Sequence, residues 1–176
     1  MEIYLIRHTT PLIEKGLIYG RTDVSLTPDF PVEKAMVLKQ LPETIDRVYT
    51  SPSARCLQLA KAISNDCKVE KDLYELNFGD WEGMTWDAVD RDISEVWMND
   101  FVNLSPPNGE SMLQMQLRVM KFWDRLVSQS HQSAAIITHG GVIRIILAHY
   151  RSIALKDVFD IKVSFGEVFK LQLSRP

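Results

Sequence analysis

The sequence predicts an α/β fold: a three-layer α/β/α sandwich with a largely parallel central sheet. Short apolar, β-branched runs alternate along the chain with longer stretches whose apolar residues recur at helical spacing, and this alternation is typical of βαβ units. Several runs stop abruptly at polar residues, as buried strands of an open sheet do. The 176 residues contain no linker, repeat or low-complexity segment, so we expect a single domain over residues 1–176.

Two of the predicted strands come early in the chain. The first is Glu2–Ile6, a short apolar run that ends at Arg7 and His8. The second is Arg47–Thr50, which is followed by a Ser-Pro-Ser turn. Ligands of open α/β sheets bind beyond the carboxyl ends of the strands, so Arg7 and His8 are expected at a binding crevice.

The second strand leads into a predicted helix over Ala54–Ser64, for which Ser53 is the expected N-cap. A third strand is predicted over Ala134–Thr138. It is followed by His139, two glycines and an apolar helical stretch over Val142–His149. His139 is therefore expected at the same edge of the sheet as the residues after the first strand.

A further helix is predicted between the second and third of these units. Its Met and aromatic stripe at helical spacing indicates core packing and not a cofactor site. The stripe consists of Met112, Met115, Val119, Phe122, Trp123 and Leu126. The end of the chain predicts two strands, Ile161–Ser164 and Glu167–Leu173, joined through Gly166.

Composition and charge exclude several classes of protein. A net charge of −3 without a basic stripe argues against a nucleic-acid partner. The N-terminus lacks the features of a signal peptide, and the apolar stretch Ser133–Tyr150 is interrupted by His139 and Arg144, so it is not a membrane span. Cys56 and Cys67 have no metal-ligand spacing and are expected to be reduced thiols. We expect a cytoplasmic protein with neither nucleic-acid nor membrane partners.

Two histidines and two arginines are predicted to converge on one crevice. Arg55 lies just inside the helix after the second strand, and His139 precedes the Gly-Gly turn that opens another helix. Glycines let backbone N–H groups approach an anion, and a helix N-terminus favours negative charge. Together with Arg7 and His8, these features predict an anion-binding site to which Gly140 contributes.

A metal site is the alternative interpretation of His8 and His139. Zinc needs three or four histidine, cysteine or carboxylate ligands at characteristic spacings, and neighbouring guanidinium groups would repel a metal ion. That ligand set is missing from the sequence, so neither a metal nor another cofactor is expected.

Four segments resemble the histidine phosphatase superfamily, the group that contains cofactor-dependent phosphoglycerate mutase. They are LIRHTTP, SPSARCLQLA, YELNFGDWEG and IITHGGVIR, in that family's order and over nearly the whole chain. The resemblance implies a phosphoglycerate mutase-like fold and His8 as the phosphorylated nucleophile. It implies Glu75 as the proton donor, and the phosphoryl group would be bound by Arg7, Arg55 and His139.

Each implied role has a chemical reason. A neutral imidazole can attack phosphorus when cations stabilise the oxygens of the transferring group, and guanidinium binds two such oxygens at once. His8 must therefore be neutral, whereas His139 must donate a hydrogen bond, and a phosphate dianion favours its charged form. Glu75 would protonate the leaving alkoxide and later accept a proton from water. Glu82 in the same loop is an alternative acid.

The sequence departs from the family pattern beside the nucleophile, where Arg-His-Gly is replaced by Arg7-His8-Thr9. Threonine cannot take a glycine-only conformation without strain, and its hydroxyl could join the phosphate pocket. The full set of expected substrate-binding residues is Arg7, Thr9, Arg21, Thr22, Arg55, His139 and Gly140.

The segment Ile18–Val24, the loop Glu75–Gly83 and the short length resemble the α-ribazole phosphatases of cobalamin nucleotide-loop assembly. The resemblance implies a small-molecule phosphomonoester, α-ribazole 5′-phosphate or cobalamin 5′-phosphate, as substrate. A broader sugar-phosphate or phosphoglycerate phosphatase or mutase is the first alternative. A non-catalytic phosphate-binding domain is the second, although it would have no need of His8 or Glu75.

Overall fold

The computed structural model describes residues 1–174 and contains one five-stranded sheet. The strands are β1 (Glu2–Arg7), β2 (Arg47–Thr50), β3 (Cys67–Val69), β4 (Ser133–Thr138) and β5 (Val168–Gln172). Their order across the sheet is β3-β2-β4-β1-β5. The first four are parallel, and β5 pairs antiparallel with β1. The predicted α/β fold with a largely parallel sheet is confirmed.

Helices cover both faces of this sheet. They are α1 (Phe30–Leu38), α2 (Ala54–Ile63), α3 (Arg91–Asn99), α4 (Met112–Val127) and α5 (Gly140–Arg151). Successive strand residues point to opposite faces, so Ile3 and Leu5 of β1 pack in the core with α4 and α5. Tyr4 and Ile6 pack on the other face with α1 and α2. Within residues 1–174, no helix has the length and apolar character needed to cross a membrane.

The predicted elements that are present agree with the structure to within two residues at either end. The Met and aromatic stripe lies on α4, and all its members are buried, which confirms its core role. Helices α1 and α3 were not predicted, because each is only nine residues long and a short segment gives a weak periodic signal. Only Val37 of α1 and only Ser94 and Trp97 of α3 are buried.

The strand predicted over Ile161–Ser164 is wrong, and this segment is irregular. Its carbonyl groups bind arginine side chains instead of a neighbouring strand. Val163 O accepts a hydrogen bond from Arg7 Nη1 at 2.6 Å, and Ile161 O accepts one from Arg144 Nε at 3.0 Å. Only the second predicted strand of this pair forms, as β5.

Helix α2 begins after Ser53, as predicted, but its capping contact comes from a distant loop. The Ser53 hydroxyl makes no capping hydrogen bond. Instead, Asp23 Oδ1 accepts a hydrogen bond from the Ala54 amide at 2.8 Å, and a carboxylate at this end of a helix is favourable. The contact fixes the loop that precedes α1 to the helix that carries Arg55.

Candidate active site

The carboxyl ends of β1, β2 and β4 meet at one crevice, as their parallel pairing requires. Arg7 is the last residue of β1, His8 follows it, and Ser51 and His139 follow β2 and β4. A cavity of about 200 Å³ opens at this edge. Its lining includes Arg7, His8, Glu75 and His139, so the structure brings both predicted histidines and the predicted acid together.

His8 is held in the protonation state that a nucleophile needs. The residue is 2% exposed, and its Nδ1 lies 2.7 Å from the carbonyl oxygen of Thr9. A carbonyl oxygen can only accept, so Nδ1 carries the proton and Nε2 keeps its lone pair. Burial, followed by the charge of Arg55, lowers the pKa of His8 to about 3. The imidazole is therefore neutral at physiological pH.

His139 is also neutral when only protein groups surround it. Its Nε2 lies 2.7 Å from Ser51 Oγ, and its Nδ1 lies 3.2 Å from Nη2 of Arg55. Because a guanidinium only donates, Nδ1 must accept and Nε2 donates to Ser51. Burial, with His8 and Arg55 close by, lowers the pKa of His139 well below its usual range. A charged His139 therefore depends on a bound phosphate dianion.

The guanidinium groups of Arg7 and Arg55 bind carbonyl oxygens of the backbone, and that of Arg55 also meets His139 Nδ1. Arg55 is fully buried and donates to the carbonyl oxygens of Thr22 at 3.0 Å and Gly20 at 2.6 Å. Arg7 donates to the Val163 carbonyl. Among residues 1–174, no carboxylate oxygen lies within 4.0 Å of either guanidinium. Buried cations without a counter-charge are unfavourable, so this arrangement favours binding of an anion.

Glu75 lines the cavity and lies at the N-terminus of α5. Its carboxylate accepts hydrogen bonds from the amides of Leu76 at 3.0 Å and Gly141 at 3.1 Å. A Cβ atom on Gly141 would overlap Glu75 Oε1, so glycine is needed here for close approach. The anion that meets this helix N-terminus is thus a side chain of the protein itself.

Arg118 of α4 holds the backbone that carries Glu75. Its guanidinium donates to three carbonyl oxygens, at 2.7, 2.7 and 3.0 Å, which belong to Asp72, Tyr74 and Glu75. It also pairs with Glu110 through Nε at 3.0 Å. Sequence reasoning missed Arg118 because these partners are distant in sequence and no short motif joins them.

With Glu75 as the proton donor that the family resemblance implies, replacing Arg118 with methionine is expected to reduce kcat on an alkyl phosphate by roughly tenfold to a hundredfold, a fraction of what a general acid supplies. The reduction on p-nitrophenyl phosphate should be much smaller, because nitrophenolate leaves without being protonated. Steady-state kinetics on both substrates measure the difference. The control is Arg125→Met, which removes an exposed arginine of the same helix. Equal losses on both substrates would contradict a role in placing the acid.

Thr9 directly follows His8, and Gly140 directly follows His139. Thr9 is fully buried and does not adopt a left-handed conformation, so the strain considered for this position is absent. Its hydroxyl has no hydrogen-bond partner among residues 1–174. A Cβ atom on Gly140 would lie 2.9 Å from Nη1 of Arg144 and 3.4 Å from Cζ of Arg7. Glycine at this position lets both guanidinium groups approach the helix.

Arg21 and Thr22 lie on an exposed loop and bind carboxylates of the protein. Glu82 accepts hydrogen bonds from the amides of Arg21 at 2.9 Å and Thr22 at 2.6 Å, and from the Thr22 hydroxyl. Burial is the largest influence on the pKa of Glu82 and raises it, but these hydrogen bonds together bring the pKa below its usual value. Glu82 thus joins two loops, and it is not among the residues that line the cavity.

The rest of the cavity wall is mainly apolar and aromatic. It is formed by Tyr19, Leu76, Phe78, Met112, Gly141, Arg144 and Phe159. The Arg144 guanidinium lies 5.7 Å from the centre of the Phe159 ring. These residues were missed because they come from several separate segments. Arg144 had a usable signal, since it follows Gly140 by one helical turn and therefore lies on the same face of α5.

The fold and the crevice together define an α/β protein with a buried, cationic anion-binding site. The chain belongs to the histidine phosphatase superfamily, branch 1, whose family model matches residues 3–175. It is a phosphatase of that family.

Relatives with known names include several kinds of phosphatase. A protein from Hydrogenobacter thermophilus named "Putative phosphoserine phosphatase 2" is 28% identical over 98% of this chain and 89% of its own length. The α-ribazole phosphatase of Shigella flexneri superposes with a TM-score of 0.90 at 25% identity, covering 99% of this chain and 92% of that one. Phosphoserine phosphatase from Entamoeba histolytica shares the fold, with a TM-score of 0.81 at 21% identity over 96% of this chain and 89% of that one.

Proposed function

We propose that this phosphatase hydrolyses small-molecule phosphomonoesters through a phosphohistidine on His8. The observation that carries the proposal is the hydrogen bond between His8 Nδ1 and the Thr9 carbonyl. It leaves the Nε2 lone pair free at a site where Arg7 and Arg55 have no carboxylate partner within residues 1–174. A neutral nucleophile and unpaired cations are the two requirements of phosphoryl transfer to imidazole.

The proposed reaction has two steps. In the first, Nε2 of His8 attacks phosphorus, the bond from phosphorus to the ester oxygen breaks, and Glu75 in its acid form donates a proton to that oxygen. In the second, water attacks phosphohistidine, the P–N bond breaks and Glu75 accepts a proton from the water. Arg7, Arg55 and His139 bind the phosphoryl oxygens throughout. The products are an alcohol and inorganic phosphate, and His8 returns to its neutral form.

We propose α-ribazole 5′-phosphate, or cobalamin 5′-phosphate, as the substrate. The cavity wall beyond the phosphate-binding groups is largely apolar, with Phe78, Met112 and Phe159 among its members. Such a wall suits a leaving group that carries a neutral aromatic ring. The similarity to the S. flexneri α-ribazole phosphatase supports the same choice.

A second candidate is a compact, acidic substrate such as phosphoserine or phosphoglycerate. It is favoured by Arg144, which lines the cavity and has no carboxylate within 4.0 Å among residues 1–174. A substrate carboxylate would supply that partner. The H. thermophilus relative named for phosphoserine is consistent with this candidate.

The two candidates are separated by kcat/KM on α-ribazole 5′-phosphate, cobalamin 5′-phosphate, phosphoserine, 3-phosphoglycerate and fructose bisphosphate. The proposal predicts that one of the first two exceeds all the others by at least about 100-fold, roughly 3 kcal/mol of transition-state discrimination. A preference for phosphoserine or phosphoglycerate would establish the second candidate. Similar low values for all five would contradict both and leave a general phosphatase.

Replacing Phe159 with alanine is expected to distinguish aromatic from compact substrates. The ring is half-exposed at the cavity wall, so stacking on an aromatic leaving group is worth roughly 1 kcal/mol, or about fivefold to tenfold in kcat/KM. The loss should appear for α-ribazole 5′-phosphate and be absent for phosphoserine.

The control for this prediction is Tyr150→Ala, which removes an exposed aromatic ring at the far end of α5 and should affect neither substrate. Equal losses on both substrates after Phe159→Ala would mean that Phe159 does not contact the leaving group.

A further inference from the structure

The segment 161–166, which we call the C-terminal strap, runs against the Arg7-His8 dipeptide at the end of β1. Val163 O accepts a hydrogen bond from Arg7 Nη1 at 2.6 Å. At the other end of the strap, the Gly166 amide donates to the carbonyl oxygen of His8 at 3.2 Å. Gly166 has a φ of +68°, a backbone conformation that favours glycine. The strap is therefore bound to both Arg7 and His8 through its backbone.

Between these two contacts, the strap places one aromatic ring on the dipeptide. The centre of the Phe165 ring lies 3.7 Å from Cζ of Arg7, a distance at which a guanidinium stacks on an aromatic face. The same ring lies 5.4 Å, centre to centre, from the imidazole of His8. Phe165 is 38% exposed and belongs to neither of the two buried clusters of the core.

These contacts favour a role in the site over a role in the core. A guanidinium stacked on a ring loses water from one face and is restricted in rotation, while the N–H groups in its plane stay free to donate. Arg7 is bound in this way from one side by Phe165, and one of its terminal nitrogens is bound by Val163. Arg7 therefore loses less conformational freedom when phosphate binds, and this lowers the free-energy cost of binding.

We propose that Phe165 is a positioning residue, which raises the affinity of the site for phosphate by holding the guanidinium of Arg7 in its binding orientation. This inference rests on the proposed role of Arg7 in binding phosphate. Phe165 lies outside the four motifs and belongs to the C-terminal strap, which follows α5.

The test is the affinity for inorganic phosphate, measured by isothermal titration calorimetry on the 176-residue chain. Phe165→Leu keeps apolar bulk but removes the ring, and we expect it to weaken phosphate binding by about tenfold, within the range of desolvated cation–π contacts. Phe165→Tyr restores the ring and should bind within about twofold of the wild type. Phe169→Leu, which removes a ring from nearby β5, is the matched control and should bind phosphate like the wild type.

A double-mutant cycle separates positioning from general packing. In an Arg7→Gln background the ring has no guanidinium to hold, so adding Phe165→Leu should weaken phosphate binding by less than about twofold. A full tenfold effect in that background would overturn the inference, because it would show that the ring acts without Arg7. Wild-type affinity of Phe165→Leu, or loss of affinity in Phe165→Tyr with an unchanged Tm, would overturn it as well.

The outcome also distinguishes this inference from the proposed function. If Arg7→Gln alone leaves phosphate affinity unchanged, the proposed role of Arg7 is wrong. If Arg7→Gln weakens binding and Phe165→Leu does not, only the inference on Phe165 is wrong.

Discussion

Replacing His8 with glutamine is expected to reduce kcat by at least about 10⁴-fold, the scale on which enzymes with covalent intermediates lose activity when the nucleophile is removed. Glutamine is neutral and can donate to the Thr9 carbonyl as the His8 Nδ1–H does, but its amide cannot attack phosphorus. Phosphate binding should change much less, because Arg7 and Arg55 remain. Single-turnover kinetics and phosphate titration measure the two effects separately.

The control for folding of His8→Gln is its free energy of unfolding, measured as a function of pH and compared with that of the wild type. His8 has a pKa of about 3 in the folded chain, against about 6.5 when unfolded. Its contribution to stability is therefore present above the unfolded pKa and is lost as the pH falls. At about pH 5 a histidine kept neutral by folding destabilises the protein by about 2 kcal/mol. The free energy of unfolding should fall less between about pH 8 and pH 5 in His8→Gln than in the wild type.

A residual kcat above about 1% of wild type in His8→Gln would contradict the nucleophile assignment, since enzymes of this kind retain far less. Equal, modest reductions of kcat in His8→Gln and Glu75→Gln would also contradict the assignment. An enzyme that loses its nucleophile and one that loses its acid should differ in residual kcat.

Replacing Arg55 with methionine is expected to reduce kcat/KM by roughly two orders of magnitude or more, as when a preorganised charge stabiliser is lost. The guanidinium is fully buried and meets Gly20 O, Thr22 O and His139 Nδ1. Its loss removes a buried cation that we propose binds the phosphoryl group, and it also frees the loop before α1 and the ring of His139. Methionine retains much of the apolar volume, which limits the cavity left behind.

The measurements for Arg55→Met are kcat/KM on several substrates and the affinity for phosphate. Lys61→Met on the same helix is the control, because it removes an exposed cation away from the crevice. Arg55 binds the phosphoryl group and not the leaving group in this account, so the loss should be similar for every substrate. A loss below about threefold on several substrates would remove Arg55 from the site, given the size expected for such a group.

The strand ends of this fold could be predicted from sequence because burial on both faces makes a strand continuously apolar. The apolar run stops at Arg7, where β1 ends, and the Gly-Gly turn after His139 marks the start of a helix. Both signals are local. They located β1, β4 and the residues that follow them.

The other side of the site could not be predicted, because it is determined by tertiary contacts. Ile161–Ser164 has the composition of a strand, yet its carbonyl groups at Ile161 and Val163 bind arginines. Phe165 and Phe159 have no pattern that distinguishes a ring over a guanidinium from an ordinary apolar residue. The apolar cavity wall and the C-terminal strap could therefore be recognised only in the folded structure.

The central claim is that phosphate passes through His8, and trapping the intermediate tests it most directly. The enzyme is mixed with ³²P-labelled substrate, quenched in base within one turnover and digested, and the labelled peptide is sequenced. The account predicts a label that is stable in base and lost in acid, carried by the peptide that contains His8 and absent from His8→Gln. A wild-type enzyme that turns over fully with no base-stable label, or a label on another residue, would contradict it.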